Sequence, residues 1–236
     1  MNYYNNDYDR GYTESMMSAA DYMARTYRWM ACGLIVTFAV AFLTATTPLL
    51  YMASSLYLVL TIAELALVFF LSARIQQMSV GTARAVFFAY SALNGMVLSF
   101  YFVAFSVGTL VMAFLATAVY FGLMAFYGHT TNRDLTSWGP KLMMGLIAMI
   151  ITGLVGTLFG FGIGASLLYS GIGLVVFMLL TAYDTQKLHQ MYAYYAADSE
   201  LAEKASVYGA LTLYLDFINI FLFVVRLLGL SSHSRD

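Results

Sequence analysis

Two aspartates stand inside stretches that are otherwise apolar. Asp216 and the amide Asn219 lie within LTLYLDFINIFLFVVRLLG (Leu211–Gly229), and Asp184 closes a second apolar run in TAYDTQK (Thr181–Lys187). An Asp at the centre of a membrane span costs ~2.5–3.5 kcal/mol even on the gentler scale, so a carboxylate kept there points to use. On a helix Gly209, Thr212, Asp216 and Asn219 step by three, four and three, and Thr181 precedes Asp184 by three. Each acid therefore shares a face with small or polar neighbours. Such a face must meet protein or water, not lipid.

The chemistry of such a pair is specific. Two carboxylates close together and away from bulk water cannot both ionise cheaply, so they share a proton and titrate in two coupled steps, which makes a pH sensor. When both are ionised they need a cation, either a guanidinium or a hard metal ion that prefers oxygen, calcium foremost. Arg74, at the inner end of the second apolar segment, stands at roughly the level of Asp184; Glu64, near the middle of that segment, is closer to the level of Asp216. The expected constellation is Asp184 and Asp216 as the pH-sensing, calcium-binding pair and Arg74 as their positive partner. Glu64, Asn219, Thr181, Thr212, Tyr183 and Tyr214 support it. Exchange between partners would favour different helix arrangements. Structural alternatives stay open: Asp216 as a permanently hydrogen-bonded packing residue, Arg74 snorkelling to headgroups, and Asn94 and Asn219 as interhelical hydrogen-bond partners. Gly145, Gly153, Gly156 and Gly171 read as close helix contacts.

The elements that must carry these residues follow from composition. The chain is 61% hydrophobic and only 10% charged, where a soluble domain carries about 25% charged residues. Seven segments are long enough to cross a hydrocarbon core of ~30 Å: Trp29–Thr47, Leu49–Ala73, Ala85–Phe105, Val107–Tyr127, Leu142–Phe159, Ala165–Thr185 and Val207–Leu228. Barrel strands would alternate polar and apolar residues over ~10 positions, and these runs do not. The expected organisation is a cytoplasmic tail over residues 1–28, a seven-helix transmembrane domain over 29–230 and a short tail over 231–236. Up to about Tyr12 the first tail is rich in Tyr and Asn and reads as disordered. Met16, Met17, Ala20, Met23, Ala24 and Tyr27 then follow helical spacing, as in an amphipathic stretch on the membrane surface. No short basic leader precedes the first span, which is expected to serve as an uncleaved anchor.

Basic residues set the direction. Arg10, Arg25 and Arg28 precede span one, Arg74 and Arg84 lie between spans two and three, Arg133 and Lys141 between four and five, and Lys187 and Lys204 between six and seven. The positive-inside rule puts these segments and the amino terminus in the cytoplasm, in a multi-pass topology that leaves the short carboxyl tail outside. Arg226 and Arg235 fit less well, and a re-entrant last segment would explain them.

Other functions fare poorly. A net charge of −1 argues against nucleic acid as a partner. Cys32 is the only cysteine, which removes disulfide and Cys-based zinc chemistry. His129, His189 and His233 lie outside the spans, so no intramembrane serine–histidine site is expected. Tyr183-Asp184 fits half of an intramembrane aspartyl protease. The other half would be Gly-x-Gly-Asp and is Leu213-Tyr214-Leu215-Asp216. The last span contains no lysine for a retinal. The expectation is a protein that is not an enzyme and needs no cofactor beyond calcium as a bound or transported ion.

The motifs themselves carry a resemblance. AYDTQKL (Ala182–Leu188), LYLDFINIFLFVVRLLG (Leu213–Gly229), TTNRDLTSWG (Thr130–Gly139) and YRWMACGLIVT (Tyr27–Thr37) closely resemble the Bax inhibitor-1 family, in a bacterial form. The resemblance implies an all-α, seven-transmembrane-helix bundle with the seventh helix central and a pH-sensitive calcium leak controlled by an aspartate pair, which Asp184 and Asp216 match. It also implies an arginine latch in span two, near Arg74 of LSARIQQM (Leu71–Met78). Span three, AYSALNGMVLSFYF, lacks the Gly-Pro of many members. Family links to stress and cell-death suppression leave a second reading open. In it the protein regulates a membrane protease or another membrane protein, and ion flux is incidental. Partners are thus membrane lipids, calcium, protons and such a protein.

Overall fold

Five of the long helices start where a short polar side chain can take up a free backbone N–H. In a computed structural model, described over residues 17–74, 77–159, 166–195 and 198–233, Ser18 accepts from the Asp21 N–H at 3.0 Å, Ser79 from Thr82 at 3.2 Å and Ser106 from Thr109 at 3.2 Å. Ser166 accepts from Tyr169 at 3.1 Å, and Asp198 from Glu200 at 2.9 Å. These are side chains that favour the N-cap. They open α1 (Ala19–Thr46), α4 (Val80–Ala104), α5 (Val107–Thr130), α7 (Leu167–Tyr195) and α8 (Ser199–His233). The remaining helices are α2 (Leu49–Ser55), α3 (Tyr57–Arg74) and α6 (Gly139–Phe159), the last preceded by a 3-10 turn over Thr136–Trp138. Seven of these segments are long and apolar enough to cross a membrane, and no strand occurs among the described residues. The protein is all-helical, as its composition requires.

The helices overrun the apolar segments at several ends, and the overruns matter. Span one does not begin at Trp29: α1 is unbroken from Ala19, so most of the amphipathic stretch is the polar start of the span's own helix. Met16 and the Tyr-rich tail lie outside the described residues. Span two is broken at Leu56 into α2 and α3. Pro48 opens α2, and the Ser54 and Ser55 hydroxyls donate back to the Tyr51 carbonyl at 2.8 and 3.0 Å, a local arrangement that competes with helix continuation. Asp184 does not end its helix, because α7 continues eleven residues further, to Tyr195. The macrodipole cost of an acid at a helix end therefore does not arise. α8 is unbroken to His233, so the last segment is not re-entrant. Arg226 donates to the Tyr101 hydroxyl at 3.0 Å and lies over the Phe223 ring at 5.5 Å.

The chain divides into two units, Met1–Ser99 with Leu188–Leu211, and Phe100–Lys187 with Thr212–Asp236. In the first, small residues bring α1 and α4 together. A β-carbon at Gly95 would stand 2.5 Å from the Thr37 carbonyl oxygen, and the Thr37 hydroxyl donates across to the Ser91 carbonyl at 2.9 Å. Tyr22, fully buried, reaches the Ala205 carbonyl at 3.4 Å and stacks obliquely on Tyr192 with ring centres 5.7 Å apart. These are the close backbone approaches and interhelical hydrogen bonds that drive packing where lipid offers no hydrophobic contrast.

In the second unit, aromatic rings wedge between α5, α7 and α8. Phe217 meets Phe114 and Phe121 with ring centres 5.5 and 5.6 Å away, and Phe223 occupies the space that a side chain at Gly173 would need. Gly128 of α5 is the tightest junction, because a β-carbon there collides with the backbone of Ala182 in α7. Among the glycines that read as close contacts, a β-carbon at Gly153 would stand 2.9 Å from the Tyr169 hydroxyl, and Gly156 is buried. Gly145 meets Val176 only at an ordinary 3.9 Å, and Gly171 has nothing within 4 Å. A peptide backbone cannot yield as a flexible side chain can. Gly128→Val is therefore expected to destabilise the protein by ~1–3 kcal/mol through overpacking, read as a lowered midpoint of thermal unfolding in detergent. Gly122→Ala, on the same helix with nothing within 4 Å, should leave that midpoint in place or raise it slightly.

Candidate functional site

The turn of α7 that carries Asp184 is fixed through its other faces. Ala182 takes the backbone contact from Gly128, and Tyr183 packs its phenol end over Gly139, 2.5 Å from where a β-carbon would be. Gln186 clamps the connection after α5, accepting from the Leu135 N–H at 2.8 Å and donating to the Arg133 carbonyl at 2.8 Å. That connection is itself set by Asp134, which accepts from the Thr136 N–H at 2.9 Å. Hydrogen bonding from Thr136 holds the Asp134 carboxyl below the usual carboxylate range. With those positions committed elsewhere, Thr181, Asp184 and Thr185 form one helical stripe.

Opposite them is Asp216 of α8, buried to 3% exposure. Its carboxyl lies against the Thr181 hydroxyl and within electrostatic reach of Asp184. The Thr181 hydroxyl also bonds to the Phe177 carbonyl at 2.8 Å. Oδ2 of Asp216 finds no hydrogen-bond partner among the described residues. A buried carboxylate oxygen in that position calls for a proton or a cation, since desolvated charge without a partner is costly. Two acids and a hydroxyl, from two helices of one unit, thus lie within reach of one another.

The other expected members divide. Thr212 is half-buried and Tyr214 fully buried on the same helix. Asn219 donates to the Leu215 carbonyl at 2.8 Å within α8, so it is not an interhelical bridge. Glu64 and Arg74 belong to the first unit. Glu64 accepts from Asn94, and from the Tyr90 hydroxyl at 3.5 Å, so Asn94 is the interhelical partner that its type implied. Arg74 is exposed and donates to Gln77 at 3.0 Å. Tyr183 leans away over Gly139 and stacks under Lys187, whose Nζ is 5.7 Å from the ring centre.

Two residues of the site escaped sequence reasoning. Lys187 is a cation that acts on Asp184, from three positions along the same helix, and Gln186 holds that helix to the connection at Arg133 and Leu135. Both sit inside TAYDTQK, where polar residues one turn beyond a span's acid were the available signal. Among the described residues no group of three or more His, Cys, Asp or Glu could hold a metal ion. Calcium takes six to eight oxygen ligands. The pair and Thr181 offer fewer, so water would complete the shell of a passing ion.

Comparison with known proteins covers almost the whole chain. The family described as inhibitor of apoptosis-promoting Bax1 matches residues 19–233. The inner membrane protein YbhL of Escherichia coli is 42% identical over 216 residues, covering 88% of this chain and 91% of the relative. A protein of Deinococcus radiodurans is 43% identical over 216 residues, with 91% of each chain covered. One of Rickettsia prowazekii is 38% identical over 211 residues, 88% of this chain and 89% of that one. With a match across nearly all of its described length, the chain belongs to the Bax inhibitor-1 family.

Proposed function

We propose that the protein is a pH-sensitive calcium leak of the bacterial inner membrane, gated by protonation of the Asp184–Asp216 pair. It is not an enzyme, and calcium and protons are its cargo and signal. The observation that carries the reading is the Asp216 carboxyl, 3% exposed, with one oxygen lacking a hydrogen bond among the described residues and a second carboxylate within electrostatic reach. Such a pair changes its demand for positive charge as it titrates. The burial of α8, 61% of its apolar window against 6% for α3, favours a central seventh helix. The E. coli relative's description as an inner membrane protein supports the location, and the distribution of Arg and Lys supports a cytoplasmic amino terminus.

The sign of the gating follows from the charges. At high pH both acids are ionised and hold a cation; Arg74 is the latch that the family resemblance offers, and a latched pair is closed. At low pH a proton takes the latch's place, the arginine is released, and calcium passes down its gradient. Calcium, a hard cation, is attracted to the same carboxylates. Because the two partners stabilise different helix arrangements, a modest difference in their binding shifts the population.

Calcium uptake into proteoliposomes of the pure protein, followed from about pH 5 to about pH 8, tests this. Flux is expected to rise as pH falls, and Asp216→Asn, which keeps the shape and removes the titration, should give a flux that no longer varies with pH. An Asp216→Asn protein with the pH profile of the parent would overturn the gating reading, and a parent that carries no calcium at any pH would overturn the leak. Retained capture of a membrane protease alongside absent flux would instead favour the regulatory role. Separately, Arg74→Ala should raise flux near pH 8 about tenfold, the equivalent of ~1.4 kcal/mol of lost closed-state stability, with little change near pH 5.

A further inference from the structure

The polar start of α1 forms a cavity with a charge balance of its own. Arg25, Arg28, Trp29, Cys32 and Glu203 line a space of about 400 Å³, all within the first unit. Glu203 is already occupied: Arg84 bonds to it, and Arg25 approaches at 3.7 Å. Arg84 also lies over the Trp29 ring at 4.7 Å, and its Nε is buried with no acceptor among the described residues. Of the other acids at this end, Asp21 is bonded to Ser18 at 2.8 Å and Glu200 is paired with Lys204 at 2.9 Å. That leaves Arg28. Its Nε donates to the Ala24 carbonyl of its own helix at 3.4 Å, and it has no ion pair among the described residues. Three guanidinium groups thus face one carboxylate, and the surplus is positive.

Below the cavity the helix offers a path for a chain. Arg28, Cys32, Ile35, Ala39 and Phe42 step by four, three, four and three, and all are exposed, Ile35 to 68% and Phe42 to 53%. They make one apolar stripe leading from the cavity along α1. With 28 residues, α1 is roughly 42 Å long at 1.5 Å per residue, more than the ~30 Å of hydrocarbon. Its polar first turns therefore stand at the headgroup level, where Trp29 is an interfacial side chain. A positive cavity at that depth, continued by an exposed apolar stripe, matches a phosphate joined to acyl chains.

We propose that this cavity binds the phosphodiester of an anionic glycerophospholipid, with Arg28 as its main contact and an acyl chain along Cys32, Ile35, Ala39 and Phe42. The shared chemistry with free phosphate is the anion; the stripe selects the lipid. Basic cavities between membrane helices hold anionic headgroups in this way. The site is independent of the aspartate pair and does not rest on the calcium reading.

The protein supplies its own reporters. Its two tryptophans are Trp29 and Trp138, so Trp138→Phe leaves Trp29 as the sole emitter. In vesicles containing phosphatidylglycerol or phosphatidylcholine brominated on the acyl chains, Trp29 quenching gives the relative affinity for each headgroup. A preference of about fivefold for phosphatidylglycerol, equal to ~1 kcal/mol, is expected. Arg28→Ala should reduce it to parity, and Arg28→Lys, which keeps the charge, should retain part of it. Equal quenching by both lipids, or a preference unaltered in Arg28→Ala, overturns the proposal. Cys32, the only cysteine, separates the sources: phosphatidylglycerol should slow its alkylation by a water-soluble maleimide severalfold, and millimolar inorganic phosphate in phosphatidylcholine vesicles should not. Equal protection by inorganic phosphate would mark a free-anion site and overturn the lipid assignment. Arg28 is exposed and bonded only within its helix, so its variants are expected to fold, as unchanged thermal unfolding would verify.

Discussion

Desolvation of the Asp216 carboxyl is the constraint around which the second unit is arranged. At 3% exposure it has neither the water that would hydrate its charge nor a full set of donors, and a second acid lies within reach. Continuum reasoning makes each such charge expensive and makes the pair worse. A structural acid would be surrounded by N–H and O–H groups. Here the Thr181 hydroxyl serves both the Phe177 carbonyl and the Asp216 carboxyl, and Oδ2 of Asp216 has no hydrogen bond among the described residues. That oxygen is the atom on which the proposed proton or cation exchange rests.

Holding two acids in such a place requires that their helices not drift apart, and the means are small residues and clamps. Gly128 lets α5 rest on the peptide of Ala182, and Gln186 ties the next turn to Arg133 and Leu135 by two hydrogen bonds of 2.8 Å. Phe217, next to Asp216 in sequence, is gripped by Phe114 and Phe121. Each fixes a residue within two positions of an aspartate. In lipid, where hydrophobic contrast between helices is absent, these contacts and not apolar burial determine the alignment.

The span count and the helical stripe of Thr181 with Asp184 are legible because hydropathy and a period of 3.6 residues report directly on helices in lipid. Helix ends are not. Polar turns such as Ala19–Arg28 and Lys187–Tyr195 lower the mean hydropathy without breaking a helix, so a window stops short of them. The break at Leu56 lies inside an apolar run and comes from Ser54 and Ser55 bonding back to Tyr51, which hydropathy does not weigh. Glycine roles were misjudged for a related reason. Gly171 and Gly128 look alike in sequence, and only the partner helix distinguishes open space from a backbone contact. Lys187 was read for topology alone, although its helical spacing from Asp184 already placed it on the neighbouring turn.

The break at Leu56 has a consequence for the bilayer itself. With 18 residues, α3 extends only ~27 Å, while α8, with 35 residues, extends roughly 52 Å. A helix that short crosses the hydrocarbon only when nearly upright, and the long one must tilt or project beyond the headgroups. Most of α3 is exposed or half-buried, Phe69 to 69%, so in a bilayer any shortfall in length would be taken up by thinning of the adjacent leaflets. Membrane thickness thereby becomes a variable that this fold feels through its shortest spanning helix.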